Sequence, residues 1–377
     1  MTVTAPSAPP PVKEQQPDPV ASGPDRRGWF VAGVLAVFVI ASFPLRGINT
    51  LPLARSDLTS FQTWLGDLSD RLQSAQDSNI ILQAFAKISD GLQNIAVFLQ
   101  DLISQPAFPR PVPDVGWLGV LAIAILVALL IAGWRMALLT GVSFALFGML
   151  GYWNDSMDTL IVTFLSVAIC LVIGIPTGIW MGRSRRATSA ITPILDGLQT
   201  LPSFVYLLPI TLFFSIGTAA AVIVTLIYAL PPVIRITGHG IRSVSPTTIE
   251  AMESLGTNRR QMLTKVQLPL AKRTIIVGVN QTIMAALSMS TIAAFVDGPG
   301  LGKPVIKALE SLDVGTAATA GLCIVIMAIM LDRVTTAASI RSEAIPSDTS
   351  PRLTWALRGA GVVAAVVCVY LSRQYLN

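Results

Sequence analysis

The chain has 377 residues, of which 53% are hydrophobic and only 12% charged, with a formal net charge of +5. A soluble domain usually carries about a quarter charged residues, so this composition excludes a purely water-soluble protein and calls for lipid around much of the chain. The basic residues sit in loops between apolar segments, which is a membrane pattern and implies no nucleic-acid partner.

Residues 1–28 contain seven prolines and almost no aromatics, and they read as a disordered cytoplasmic tail. The order of a cleavable signal is missing, because the first apolar stretch starts after Arg27 and is long enough to remain as an anchor. Region 29–114 joins that anchor, predicted over 29–45, to a segment whose apolar residues alternate spacings of three and four. They are Leu58, Phe61, Leu65, Leu68 and Leu72, then Ile81, Phe85, Ile88, Leu92, Ile95, Leu99 and Leu102, as in amphipathic helices. Asp57, Asp67, Asp70, Asp77, Asp90 and Asp101 outnumber Arg71 and Lys87, which disfavours an anionic inner leaflet. The segment reads as one or two helices on the outer membrane surface or against a partner subunit, or else as a small soluble helical hairpin.

Further crossings are predicted at 115–133 and 136–152, two additional helices that form region 115–152. In region 153–335 they fall at 158–181, 201–217, 218–236, 272–296 and 316–332. Region 336–377 reads as a cytoplasmic linker followed by a last crossing at 355–372. The fold class is therefore an all-α integral membrane protein with about eight or nine transmembrane helices, some kinked or re-entrant at Pro202, Pro209, Pro231 and Pro232. With the N-terminus inside, 18 Lys and Arg fall on the cytoplasmic side and 8 outside, which favours that orientation. Asn377 would then lie outside with no appended globular domain.

The loop 245–269, SPTTIEAMESLGTNRRQMLTKVQLP, reads as two short helices around a glycine turn. Ser245 suits an N-cap and Pro246 the first helical position. Gly256 suits a left-handed helix end, Thr257 or Asn258 caps a second helix from Arg259 toward Val266, and Pro269 stops it. An ordinary polar loop between membrane helices is the alternative.

Glu250, Ala251 and Met252, then Gly256, then Val266, Leu268 and Pro269 resemble the EAA signature of ABC importer permeases, with Met252 and Val266 departing from the usual alanine and isoleucine. IGIPTGIWMGRSRR from Ile173, LDGLQTLPSFVYLLPI from Leu195, YALPPVIRIT from Tyr228, VNQTIMAALSMSTIAA from Val279 and GLG from Gly300, followed by LDVGTAATAGL from Leu312, resemble the glycine betaine/proline betaine branch. Similarity covers roughly 153–335. The resemblance implies a bacterial inner-membrane permease that homodimerises, surrounded by lipid. Nucleotide-binding subunits would grip the EAA loop and a separate extracytoplasmic binding protein would deliver the solute. It implies no cofactor in this chain, with ATP and Mg held by the partner ATPase, and hence no enzyme activity of its own. Betaine is the implied substrate; an amino acid or sulfonate importer and a membrane scaffold or channel are the alternatives.

No charged residue falls near the middle of a predicted span, which argues against ion-coupled secondary transport. Asn280, Gln281, Ser288 and Ser290 are candidates for lining a pathway, or for interhelical hydrogen bonding. Phe204 and Tyr206 are candidates for meeting a quaternary ammonium, or for packing. GLGKP at Gly300 to Pro304 lacks the upstream glycine and the hydroxyl residue of a Walker A loop. The isolated Cys170, Cys323 and Cys368 read as packing residues, and no metal site is expected.

Overall fold

The computed structural model describes residues 26–42, 60–74, 79–105, 113–343 and 367–370, and every regular element among them is helical. The chain divides into two compact units, Met1–Asp67 and Leu68–Asn377. The first contains α1 (Arg26–Ser42), an apolar helix whose Phe38 and Ile40 are about 70% exposed, and the start of α2 (Ser60–Ser74). The predicted tail 1–28 lies outside the described residues up to Asp25. The last crossing, 355–372, also lies outside them except for a helical turn at 367–370.

The second unit continues with α3 (Ile80–Ile103), α4 (Gly116–Ile131), α5 (Trp134–Met149), α6 (Trp153–Arg183) and α7 (Arg185–Thr200). A 3₁₀ turn, Ser203–Tyr206, leads into α8 (Leu207–Phe214), followed by α9 (Thr218–Arg242) and α10 (Pro246–Ser254). Helix α11 (Arg259–Gln261) runs through the π-helical segment Met262–Gln267 into α12 (Leu268–Ile292), and α13 (Gly302–Ser311) and α14 (Val314–Glu343) complete the order. Four helical stretches are long and apolar enough to cross a bilayer: Trp153–Arg183, Thr218–Arg242, Arg259–Val296 and Val314–Arg341. Helices α4 and α5 are apolar but have 16 residues each, about 24 Å against a hydrocarbon core of about 30 Å.

The centre of the unit is the pairing of α6 with α9, with α12 against both. Its cause is a line of small residues on α6, four apart: Ser166, Cys170, Gly174, Gly178 and Gly182. Ser166 Oγ donates to the Val222 carbonyl at 3.1 Å, and Cys170 Sγ to that of Leu226 at 3.4 Å. At the glycines the two backbones come closer still. A Cβ on Gly178 would lie 2.8 Å from the Ile234 carbonyl oxygen, and one on Gly182 3.0 Å from that of Gly238. Small residues at four-residue spacing permit this approach in lipid, where dispersion and interhelical hydrogen bonds replace hydrophobic drive.

The GLG segment closes the opposite end of α6. Gly300 has φ +121°, and a Cβ there would meet Thr159 Oγ1 at 2.4 Å. That close approach lets the Leu301 N–H donate to Thr159 Oγ1 at 2.8 Å while the Leu301 side chain is fully buried.

Three predicted elements differ in the structure. The span 201–217 is a short 3₁₀ turn plus α8, and this pair meets α7 at a bend of 106°. Pro202 forces the preceding residue out of helix; Leu201 is extended at ψ 135°, so α7 stops at Thr200. Second, the helix through 272–296 starts far earlier, at Arg259, and α14 runs past 336 to Glu343. Third, the amphipathic segment does not stay apart from the core. Helix α3 packs on α6, α8 and α9 of its own chain, with Leu92 and Ala96 in the core around Val222 and Met289. The α3 hydroxyl of Ser89 donates to the Phe214 carbonyl at 2.9 Å, and Phe85 stacks edge-on against Phe214 at 5.5 Å.

Candidate functional site

Helix α10 buries none of its residues. Glu250, Ala251, Glu253 and Ser254 are exposed, Met252 is half-buried, and Leu255 at the end is 77% exposed. A nine-residue helix with no core face cannot be held by hydrophobic burial, so its ends must be fixed locally. Pro246 occupies the first turn, where its missing N–H costs nothing. The Ser245 hydroxyl pairs with Thr247 Oγ1 at 2.6 Å instead of capping the helix, so only its backbone acts as the cap, its carbonyl accepting from the N–H groups of Thr248 and Ile249. At the other end Gly256 takes φ +76°, and the Thr257 N–H and hydroxyl both donate to the Met252 carbonyl, at 3.2 and 2.6 Å. Asn258 then opens α11 with a capping box: Asn258 Oδ1 accepts from the Gln261 N–H at 2.8 Å, and Gln261 Oε1 from the Asn258 N–H at 3.0 Å.

Pro269 does not stop this second helix, contrary to the sequence reading. Proline lacks the donor for an α-helical bond and its ring clashes with the carbonyl four residues back. The π-helical segment Met262–Gln267 lies immediately before it, and the chain passes on into α12. Met262 and Val266 point inward and are 6% exposed, Leu268 is half-buried and Pro269 is exposed. Glu250, Ala251 and the turn at Gly256 thus form an exposed elbow ahead of one unbroken strut, Arg259–Val296, on which Val266 is buried.

The base of the elbow is tied to α6. Arg183 Nη2 donates to the Arg259 carbonyl at 3.3 Å, and Arg242 Nη1 to the Met181 carbonyl at 3.2 Å. Thr188 Oγ1 donates to that same Met181 carbonyl at 2.8 Å. These bonds join the ends of α6, α7 and α9 to the start of the strut that follows α10.

The six pathway candidates differ in burial and in partners. Tyr206 is 7% exposed and its hydroxyl donates to the Leu198 carbonyl, pinning the bend after α7. Phe204 is 56% exposed and stacks edge-on with Phe295 at 5.6 Å. On α12, Asn280 Nδ2 donates to Asp332 Oδ1 at 3.0 Å and Asn280 Oδ1 accepts from Thr335 Oγ1 at 2.7 Å, so this amide joins α12 to α14. Ser290 is buried, with its hydroxyl 3.3 Å from that of Thr163. Ser288 is exposed and bonds its own helix, and Gln281 is exposed.

Sequence reasoning missed two polar features and a cavity. Asp158, 7% exposed on α6, accepts from Ser104 Oγ at 2.6 Å and Gln100 Nε2 at 3.2 Å, so α3 and the residue just after it supply the donors to a buried carboxylate. Arg235 on α9 pairs with Asp196 on α7. A cavity of about 190 Å³ between α7, α9 and α12 is lined by Leu198, Gln199, Tyr228, Pro232 and Ala285. The spacing of Asp196 and Arg235 carries no sequence signal, because they meet only once α7 folds back beside α9. Among the described residues no group of three or more His, Cys, Asp or Glu could hold a metal ion.

An exposed elbow on packed, apolar, membrane-length helices defines the class of protein. Residues 174–339 match the family described as binding-protein-dependent transport system inner membrane component. The chain is 41% identical over 276 residues to the glycine betaine transport system permease protein OpuAB of Bacillus subtilis (strain 168), covering 72% of this chain and 93% of that one. It is 50% identical over 212 residues to the glycine betaine/proline betaine transport system permease protein ProW of Escherichia coli (strain K12), covering 56% of this chain and 60% of that one. The chain belongs to the family of glycine betaine/proline betaine permeases, and it spans about 60% of the length of the Escherichia coli relative. Among solved structures it resembles "Inward facing conformations of the MetNI methionine ABC transporter", at 22% identity and a TM-score of 0.46, over 49% of this chain and 94% of that one.

Proposed function

We propose that this chain is the membrane subunit of an ATP-driven importer for glycine betaine or a related quaternary ammonium zwitterion. Two copies form the pathway, with the N-terminus and the α10 elbow in the cytoplasm. A separate ATPase binds ATP and Mg²⁺ and docks on Glu250, Ala251, Met252 and the turn at Gly256. A separate binding protein presents the solute from outside. Closure of the ATPase pair around nucleotide moves the elbow as a rigid body and, through α6, α9 and α12, switches the side to which the pathway opens.

The observation that carries this reading is α10 itself: a helix with no buried residue, fixed at both ends and packed against the start of the strut Arg259–Val296. Such a surface buries little against its own chain and fits a groove on a partner. The cavity at Tyr228 and Gln199 supports the substrate class, because an aromatic face attracts a quaternary ammonium and an amide can hydrogen-bond a carboxylate. Phe204, exposed beside Phe295, offers a second aromatic surface.

Reconstitution tests the proposal. Proteoliposomes holding the permease, its ATPase and its binding protein are expected to accumulate labelled betaine only when ATP is hydrolysed. Excess unlabelled betaine should suppress the signal more than an amino acid or a sulfonate. Uptake that continues with a non-hydrolysable nucleotide would overturn the proposal.

A further inference from the structure

Between the end of α6 and the start of the strut lies a cavity of about 650 Å³, lined by Trp180, Arg183, Ser184, Arg259, Arg260 and Leu263. Three of these residues are arginines and none is acidic. The Arg259 and Arg260 side chains are exposed, and among the described residues neither forms an ion pair. Like charges around one cavity repel, and an anion relieves that repulsion. Guanidinium forks match phosphate oxygens in particular, because two parallel N–H bonds can form at once.

The remaining wall says what kind of phosphate fits. Trp180 is 61% exposed and stands three residues before the end of the apolar stretch Trp153–Arg183. Leu263 adds a second apolar side chain. Tryptophan at the end of a span marks the level of lipid headgroups, and basic pockets between helices there bind anionic headgroups. A free phosphate would need only the arginines. An acidic protein loop would be expected to meet α10, which projects without a core face.

We infer that this cavity binds the phosphate of an anionic membrane phospholipid, with the start of its acyl chains against Trp180 and Leu263. Because Arg183 already holds the Arg259 carbonyl, a lipid seated there bridges α6 to the strut that carries the elbow. The inference takes from the proposed function only the placement of this end of α6 at the cytoplasmic membrane face.

The test is lipid retention by the full-length purified permease, read by native mass spectrometry with added phosphatidylglycerol or phosphatidylcholine. Wild type is expected to retain phosphatidylglycerol preferentially. Each basic residue near a charged lipid surface contributes about a factor of five, so Arg259→Gln with Arg260→Gln should weaken retention by roughly twenty- to thirtyfold. Arg259→Lys with Arg260→Lys keeps the charge and should keep most of the binding, which separates loss of the site from loss of the fold. Equal retention of the two lipids, or unchanged retention by the Gln variant, would overturn the inference. So would displacement of phosphatidylglycerol by millimolar inorganic phosphate, which would mark a free-anion site. The assay contains neither ATPase nor solute, so a failure of the importer reading would leave its result standing.

Discussion

Replacing Gly178 by alanine puts one methyl group into the seam between α6 and α9. Its Cβ would lie 2.7 Å from Thr237 Cβ and 2.8 Å from the Ile234 carbonyl oxygen, whereas carbon contacts are comfortable from about 3.5 Å. The helices must therefore part by roughly 0.8 Å at this point. Neither obstacle is the free end of a flexible side chain: one is backbone, and the other is the branch point of a β-branched residue. Overpacking of this kind costs about 1–3 kcal/mol, and the rigid obstacles argue for the upper half of that range. Alanine returns about 1 kcal/mol through better helix propensity. The net expectation is a loss of about 1–2 kcal/mol. Gly197→Ala in α7 is the control, because a Cβ there meets nothing within 4 Å, so only the propensity gain of about 1 kcal/mol remains. Thermal unfolding of the purified proteins in one detergent should rank Gly197→Ala at or above wild type and Gly178→Ala below it. If Gly178→Ala unfolds at or above the wild-type temperature, backbone contact does not set the α6–α9 seam and the reasoning is wrong.

Gly256→Ala forces an L-residue to φ +76° at a cost of about 1–2 kcal/mol. ATP-driven uptake should fall while the amount of protein in the membrane stays unchanged, as judged by immunoblot of washed membranes. Tyr228→Ala should raise the betaine concentration for half-maximal uptake by about two- to thirtyfold, the range spanned by one cation–π contact, and Tyr228→Phe should restore it. Asp313, just before α14, accepts from the Thr316 hydroxyl at 2.7 Å and the Thr316 N–H at 3.1 Å. These bonds hold its carboxyl below the ordinary 3.8. Its stabilising effect is present above that ordinary value and fades as pH falls through the lowered folded-state value. Asp313→Ala should therefore lower the unfolding temperature at neutral pH, and the difference from wild type should shrink as the buffer is acidified through that range.

The elbow was legible because its determinants are local. Pro246, Gly256 and Asn258 each act within a few residues, and the structure uses them as first helical turn, left-handed end and N-cap. Pro269 was misjudged because a proline rule describes an α-helix, and the π-helical segment before it changes the register that the rule assumes. Hydropathy placed 201–217 as one span, while the kink or re-entrance read at Pro202 is where α7 ends and the chain bends by 106°. The glycine line on α6 could have been read from Gly174, Gly178 and Gly182, since their spacing is the signal. The partners of Asp158, Asn280 and Arg235 could not, because Ser104, Asp332 and Asp196 lie 54, 52 and 39 residues away and meet them only through the packing of whole helices. Helix α3 was recognised as amphipathic, but its apolar face did not say what would cover it, and the covering surface proved to be this chain's own α6, α8 and α9.

The central claim is that an ATPase grips α10, and a cross-link from that helix tests it most directly. A single cysteine in place of Ser254, on the exposed α10 surface, should join to the ATPase subunit through a short bismaleimide in the assembled complex, and the linked complex should lose ATP-driven uptake. A cysteine that reacts fully with a membrane-impermeant maleimide from outside intact cells, or never joins the ATPase in a complex that transports, would contradict the account.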